Sequence, residues 1–326
     1  MVSQISALHD QVEARAGRTS GTGLGSGGVR HLMQRPGSPE QLLFGTAAQG
    51  EYSFVLSDEL PPGRPRHAGC GSDALHFVTE ATQSVAHLVA LSRLRFAAGR
   101  PPVLTQAAVG ITDVEPWRAG RRPAPVVMDL TLTGLGTAGA PSGLKCAATV
   151  SVGGVLCAQA SAHFGSPAQA PRPAGAGPLV PSDGPHGVRP LGAGRHGPLR
   201  ESVLSAPRVV REHHMLMDVL PHPRDPALVP ARPDEAGTEL LVEASCQAAV
   251  LTAVEFRGFR GAFCIVTDWS GEFAGPLAGE SPLRCSAVPG TVARDAGDRP
   301  LLPVRVDFTQ GDAYVGAVTV DVLQDC

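Results

Sequence analysis

A carboxylate and an amide four residues apart, Glu243 and Gln247 in TELLVEASCQAAVLTAVEF, have the types and spacing best suited to chemistry in this chain. On a helix that spacing sets both on one face, a turn apart. Their neighbours Leu240, Leu241, Val242, Ala244, Ala248 and Ala249 are apolar, and a carboxylate in such surroundings has a raised pKa unless a partner holds it. That suits a general acid or base, with the amide or a backbone N–H at the helix start available to a developing oxyanion. The plain alternative is a Glu on the exposed stripe of an amphipathic helix. An earlier stretch, HFVTEATQSVAHL, carries Glu80, Gln83 and His87. Gln83 and His87 share a face at i, i+4, and Glu80 shares one with Gln83 at i+3. A lone histidine such as His87 is more often a hydrogen-bonded structural group than a catalyst. Pairing a loop histidine with a helix carboxylate, His67 with Glu80 or His222 with Glu243, would give the acid–base couple of a dehydratase.

Both candidate helices stand at the same place in an order of elements that occurs twice. Strand-like runs at 41–48 and 52–57 precede a Pro/Gly-rich loop, a helical stretch over 73–98, and four strand-like runs at 103–114, 125–132, 144–152 and 155–164. The second series has strands at 201–210 and 214–219, a Pro-rich loop, a helix over 238–256, and strands at 261–269, 283–292, 302–308 and 313–323. These runs alternate with period two or are continuously apolar, whereas the helical stretches repeat at helical spacing. An expected flexible N-terminal segment over 1–28, with a Gly/Ser run from Gly17 to Gly28, and a Pro/Gly-rich linker over 166–198 flank the first unit, leaving units at 29–165 and 199–326. The linker holds too many prolines and glycines to sustain a helix or central strand. A single long helix followed by antiparallel strands is buried best when the sheet curls round it. The expected fold is therefore α+β, a double hotdog in which two tandem units form a pseudo-dimer, with sites where one unit's helix start meets the other's loop.

Composition narrows the partners. The 326 residues carry a formal charge of -3, against the basic excess of a nucleic-acid binder. Lys145 is the sole lysine among 27 basic residues, a bias that fits a GC-rich genome better than a binding surface. Seven scattered cysteines without a CxxC pair indicate neither a zinc site nor a disulfide framework, and read as small apolar residues in a reducing compartment. No leader-like start, membrane-length apolar run or phosphate-binding loop is evident, so the expectation is a cytoplasmic protein with no metal and no nucleotide cofactor.

The chain resembles the A-factor biosynthesis hotdog family, the γ-butyrolactone autoregulator synthases. Val29, Arg30 and His31 look like its opening segment, LLFGTAAQGEYSFVLSDELPPGRPRH like the strand pair that follows, and VEASCQAA like its E-A-x-R-Q-A helix motif. LPHPRDPALVP looks like a degraded form of the segment before that helix, keeping His222, Pro223 and Asp225. The resemblance runs over about 29–165 and 200–326, in order, with its specificity in the repetition. It departs from the family at the arginine before Gln, replaced by Thr82 and Cys246, and at the first-half Glu, replaced by Thr79. Glu80 is one position away, a turn of about 100 degrees, and does not substitute. What the resemblance implies is transfer of a β-ketoacyl group from an acyl carrier protein to a glycerone-phosphate-type hydroxyl, with Glu243 as base and the surviving site in the second half. Cys246 in place of arginine removes a charge suited to phosphate; as a nucleophile it is less apt than as packing. His31, Asp225 and Cys246 are then candidate substrate contacts. Arg93 and Arg95 after the first helix, and Arg257 and Arg260 after the second, would dock an acidic carrier or compensate the helix C-terminus. Hotdog folds also host dehydratases and thioesterases, and a non-catalytic partner subunit would keep the groove alone. Monomeric pseudo-dimer and homodimer both remain open.

Overall fold

The structure, a computed structural model, describes residues 31–35, 51–60, 103–117, 124–137, 140–165, 189–190, 202–211, 213–220, 238–274, 282–311 and 313–325, with helical positions 75, 78, 79, 81, 82 and 86. Its strands are β1 (His31–Arg35), β2 (Glu51–Leu60), β3 (Val103–Ile111), β4 (Ala124–Thr137), β5 (Ala140–Val152), β6 (Val155–Gly165) and β7 (Arg189–Pro190). The chain continues with β8 (Arg208–Arg211), β9 (His214–Val219), β10 (Cys264–Phe273), β11 (Leu283–Pro289), β12 (Ala293–Arg294), β13 (Pro300–Gln310) and β14 (Ala313–Gln324). Helix α1 (Thr238–Arg257) lies between β9 and β10.

All the strands join one sheet in the order β1-β2-β4-β5-β6-β3-β10-β14-β13-β11-β9-β8-β7, with β12 paired to β13. With the two-residue edge strand β7 set aside, the halves taken from the outside inward read β1-β2-β4-β5-β6-β3 and β8-β9-β11-β13-β14-β10. The second copies the first strand for strand. The two meet where β3 and β10 pair antiparallel, from Asp268 opposite Gly110 to Glu272 opposite Gln106. The repeat read in the sequence is thus a repeat of topology.

Local chemistry explains the elements. Alternation buries Met215, Met217 and Val219 on β9, and Trp269, Gly271 and Phe273 on β10, leaving the intervening residues outside. The β5–β6 hairpin turns on Gly153 and Gly154, whose φ values of 59° and 84° suit a primed turn. Helix α1 is made largely of Ala, Leu and Val, and stops where Gly258 takes φ 70°. It packs on β9, β11, β13 and β14. In the first half Leu75, Val78, Thr79, Ala81, Thr82 and Ala86 are helical and all buried. Side chains from both halves merge into one apolar cluster, where each fully buried large side chain contributes about 1.5–3 kcal/mol.

Some expectations shift. The expected linker over 166–198 contains β7, whose Arg189 and Pro190 pair with Val209 and Arg208. The strand expected over 201–210 reduces to β8 plus a bridge from Leu204 to Val219. A 3-10 turn, Gly261–Phe263, precedes β10, and β11 ends at Pro289, short of residue 292. The strand expected over 41–48 lies outside the described residues.

On the face of the sheet turned away from α1, Asp268 and Asp321 stand directly opposite each other on β10 and β14. Burial raises both carboxyls above their ordinary value, and Asp321's charge raises Asp268 further. A carboxyl raised in the folded state favours folding only while protonated, so its contribution is lost as pH climbs from its unfolded value through the folded one. Asp321→Asn should therefore raise the melting temperature at pH 7, with the gain shrinking as pH falls toward about 4, measured by thermal denaturation across pH.

Candidate functional site

Helix α1 is apolar nearly all round, and such a helix is buried on every side. Between Leu240 and Ala253 every residue is buried except Glu243, which is half-buried. The helix has no exposed stripe there to explain a carboxylate as solvated surface.

Glu243 is held. Gln247 Nε2 donates to Glu243 Oε1 at 2.7 Å, and the Val203 N–H donates to Gln247 Oε1 at 3.1 Å. The amide is fixed at both ends, its nitrogen toward the carboxylate and its oxygen toward the backbone. That geometry makes Gln247 a positioning residue for Glu243. Val203, in the segment before β8, is itself held: Leu220 N–H, just after β9, donates to Val203 O at 2.8 Å, and Ser202 Oγ donates to Leu204 O at 2.8 Å. A backbone amide 44 residues from Gln247 leaves no mark in the sequence. The only cue in the sequence was a Gln one turn from a Glu in an apolar stretch.

Between them in sequence, half a turn round the helix, Ser245 Oγ donates to Val242 O at 2.8 Å and accepts from Trp269 Nε1 at 2.9 Å. Trp269 stacks on Phe273 with centroids 6.2 Å apart. This buried core network fixes the rotation of α1 and hence the direction of Glu243.

Cys246 was a candidate substrate contact; the structure packs it into the core at 4% exposure. Burial, and then the charge of Glu243, push its thiol well above the usual range. A neutral enclosed thiol is a packing group. Cys146 and Cys285 are also buried, each with its thiol pushed up to about 12, chiefly by burial. Iodoacetamide at pH 8 should leave Cys146, Cys246 and Cys285 unmodified in the native protein and label all three after denaturation, as read by peptide mass spectrometry.

Arg257 closes α1 and Arg260 follows it. Arg257 donates to Phe256 O and Gly290 O, both at 3.2 Å, and reaches His213 Nδ1 at 3.5 Å. It braces the end of the helix against the loop after β11. Arg260 is exposed, and its backbone N–H donates to Gln324 Oε1 at 2.7 Å. His31 lies on β1 opposite Ser57. His67, Glu80, Gln83, His87, Arg93, Arg95, His222 and Asp225 fall outside the described residues. Among the described residues no group of three or more His, Cys, Asp or Glu could hold a metal ion, and no helix is long and apolar enough to cross a membrane.

A large antiparallel sheet packed on a long buried helix defines a hotdog-type fold. No family model matches the chain, and no curated protein matches it. Solved structures do. The tesB protein of Mycobacterium avium subs paratuberculosis is 16% identical with TM-score 0.48, over 82% of this chain and 92% of that one. A conserved protein of unknown function with a hot dog fold from Alicyclobacillus acidocaldarius is 14% identical with TM-score 0.47, over 83% and 93%. The pyran synthase domain from module nine of the sorangicin pathway is 11% identical with TM-score 0.47, over 93% and 100%.

Proposed function

We propose that the chain is an enzyme acting on acyl thioesters, with Glu243 as general base and Gln247 as its positioning residue. The observation that carries this reading is the one half-buried carboxylate in the otherwise buried stretch of α1 from Leu240 to Ala253, locked by an amide that is itself locked. A partly buried carboxylate costs stability unless hydrogen bonds hold it, and Gln247 supplies one.

In the step it suits best, Glu243 takes a proton from water as the water oxygen attacks the thioester carbonyl carbon. The C–S bond then breaks, the sulfur leaves as a thiol after taking up a proton, and the carboxylic acid is released. Transfer to a hydroxyl acceptor uses the same base and differs only in whose oxygen attacks. The motif at Val242–Ala249 favours that second reading. Against a phosphorylated acceptor stands Cys246, a buried neutral thiol at the position of the family's arginine. Hydrolysis is therefore the leading reaction and acyl transfer the second. The two halves, with their copied strand order, form a pseudo-dimer of hotdog units in this reading. The thioester arrives on an acyl carrier.

Incubation with 3-ketoacyl and 3-hydroxyacyl pantetheine thioesters, with and without glycerone phosphate, tests the proposal by mass spectrometry. Free acid formed without the acceptor supports hydrolysis, and an acylated acceptor supports transfer. An enoyl product would instead point to dehydration and overturn the role given to Glu243 toward water.

A further inference from the structure

The face of the sheet turned away from α1 carries a groove over the seam between the halves. On β10 the exposed Ser270 and Glu272 alternate with the buried Trp269, Gly271 and Phe273, which places both on that outer face. The strand register lays one row of residues across five strands: Ser161, Ala108, Ser270, Thr319 and Arg305, each opposite the next. The first four are small. The space above them is an open groove of about 650 Å³, within the range of small-molecule sites, about 300–1,000 Å³.

Two opposite charges line this groove, Arg305 and Glu272. Arg305 is anchored by one edge: its Nε donates to both oxygens of Asp307 at 3.1 Å, and its Nη2 to Oδ1 at 2.8 Å. Asp307 is buried, whereas the Arg305 side chain is 63% exposed. Its Nη1 makes no hydrogen bond among the described residues, so the guanidinium presents its other edge already oriented. Glu272 accepts one long hydrogen bond, from Gln106 Nε2 to Oε1 at 3.4 Å, and its Oε2 meets no donor among the described residues. Between them stands Tyr314. Burial and then the charge of Asp307 raise its phenol, with Arg305 lowering it and Glu272 raising it, so these groups lie within electrostatic reach of one another.

We infer that the seam groove binds a small zwitterion of the ω-amino acid class, its carboxylate on the free edge of Arg305 and its ammonium on Glu272. An anion alone would meet a guanidinium already balanced by Asp307 and be repelled by Glu272; a cation alone would be repelled by Arg305. An acyl chain would cover the hydroxyls of Ser161, Ser270 and Thr319 without offering them partners. Only a ligand with both charges matches both walls. Arg305 and Glu272 stand two strands and two residues apart, about 10 Å across and about 7 Å along the sheet. Such a spacing suits charges at the two ends of a short chain better than charges on one carbon. The site lies on the face opposite α1 and stands or falls apart from the role of Glu243.

The test is calorimetric titration of the full chain at low salt with 4-aminobutanoate, propylamine and butanoate. The first probe carries both charges, and each of the others carries one of them on a similar chain. The expected result is one equivalent of 4-aminobutanoate bound in the millimolar range, with either single-charge probe at least about tenfold weaker, since each gives up a charge-assisted contact. Arg305→Gln would strip the buried Asp307 of its cation and disturb folding, so two milder variants carry the test. Glu272→Gln, at an exposed position, should weaken 4-aminobutanoate about tenfold without weakening butanoate. Ala108→Tyr, which fills the floor of the groove, should abolish binding of 4-aminobutanoate, both variants melting at the temperature of the native protein. No saturable binding of 4-aminobutanoate up to about 20 mM, or binding that neither variant changes, would overturn the inference. Propylamine bound as tightly as 4-aminobutanoate would overturn it in favour of a cation site, and butanoate bound as tightly in favour of an anion site. Thioester cleavage at Glu243 is read in a separate assay, so its presence or loss leaves these outcomes unchanged.

Discussion

Trp269→Ala is expected to lower the unfolding free energy by about 3–5 kcal/mol, the range for truncating a large buried aromatic. Trp269 is 1% exposed, stacks on Phe273, and gives its indole N–H to Ser245 in the core. The substitution opens a cavity under α1 and removes a buried donor at once. Against a typical total of about 5–15 kcal/mol, the loss is large enough to leave part of the protein unfolded at 37 °C. Trp269→Phe should cost much less, about 1–2 kcal/mol, since most of the volume stays and only the hydrogen bond goes. Urea denaturation followed by circular dichroism measures both. Equal stabilities for the two variants would mean that packing around this ring does not anchor the helix.

The same residue shows how far the sequence could be read. Helix α1 was legible almost to the residue, because a run of strong helix formers from Thr238 ends at Gly258, which alone tolerates the left-handed turn there. Strands such as His214–Val219 were legible from alternation. Their pairing was not, since which strand lies beside which depends on contacts between residues far apart in the chain. The β3–β10 seam joins positions more than 150 apart, as in Gly110 opposite Asp268. The Asp268–Asp321 pair was invisible for the same reason: only the register brings those carboxylates together.

The candidate site divides along the same line. Glu243 and Gln247 could be found because their relation is local, one helical turn. The locks on them could not, because Val203 acts through its backbone and Trp269 reaches Ser245 only once the sheet has closed over the helix. The alternative of Glu243 on a solvated stripe was reasonable from spacing alone. It fails on burial, which periodicity does not report when a helix is enclosed on all sides. Cys246 illustrates the converse: a reactive residue type at a motif position whose environment makes it inert.

The second large effect concerns chemistry. General-base catalysis contributes about 10²–10⁴ in rate, so removing the carboxylate while keeping its shape should remove most of the turnover. Glu243→Gln is the clean substitution, because an amide still fills the space and still meets Gln247, so folding is little disturbed. Gln247→Ala should act more weakly, about tenfold on kcat with little change in KM, since it loosens the carboxylate without deleting it. That split separates a positioning role from a direct one.

The measurement that bears most directly on the whole account is the single-turnover rate of 3-ketoacyl-pantetheine consumption by the native protein and by Glu243→Gln, with matched melting temperatures. The expected outcome is thioester cleavage by the native protein and a loss of at least about a hundredfold in the variant. Cleavage at the same rate in both, or no cleavage of any acyl thioester by the native protein, would contradict it.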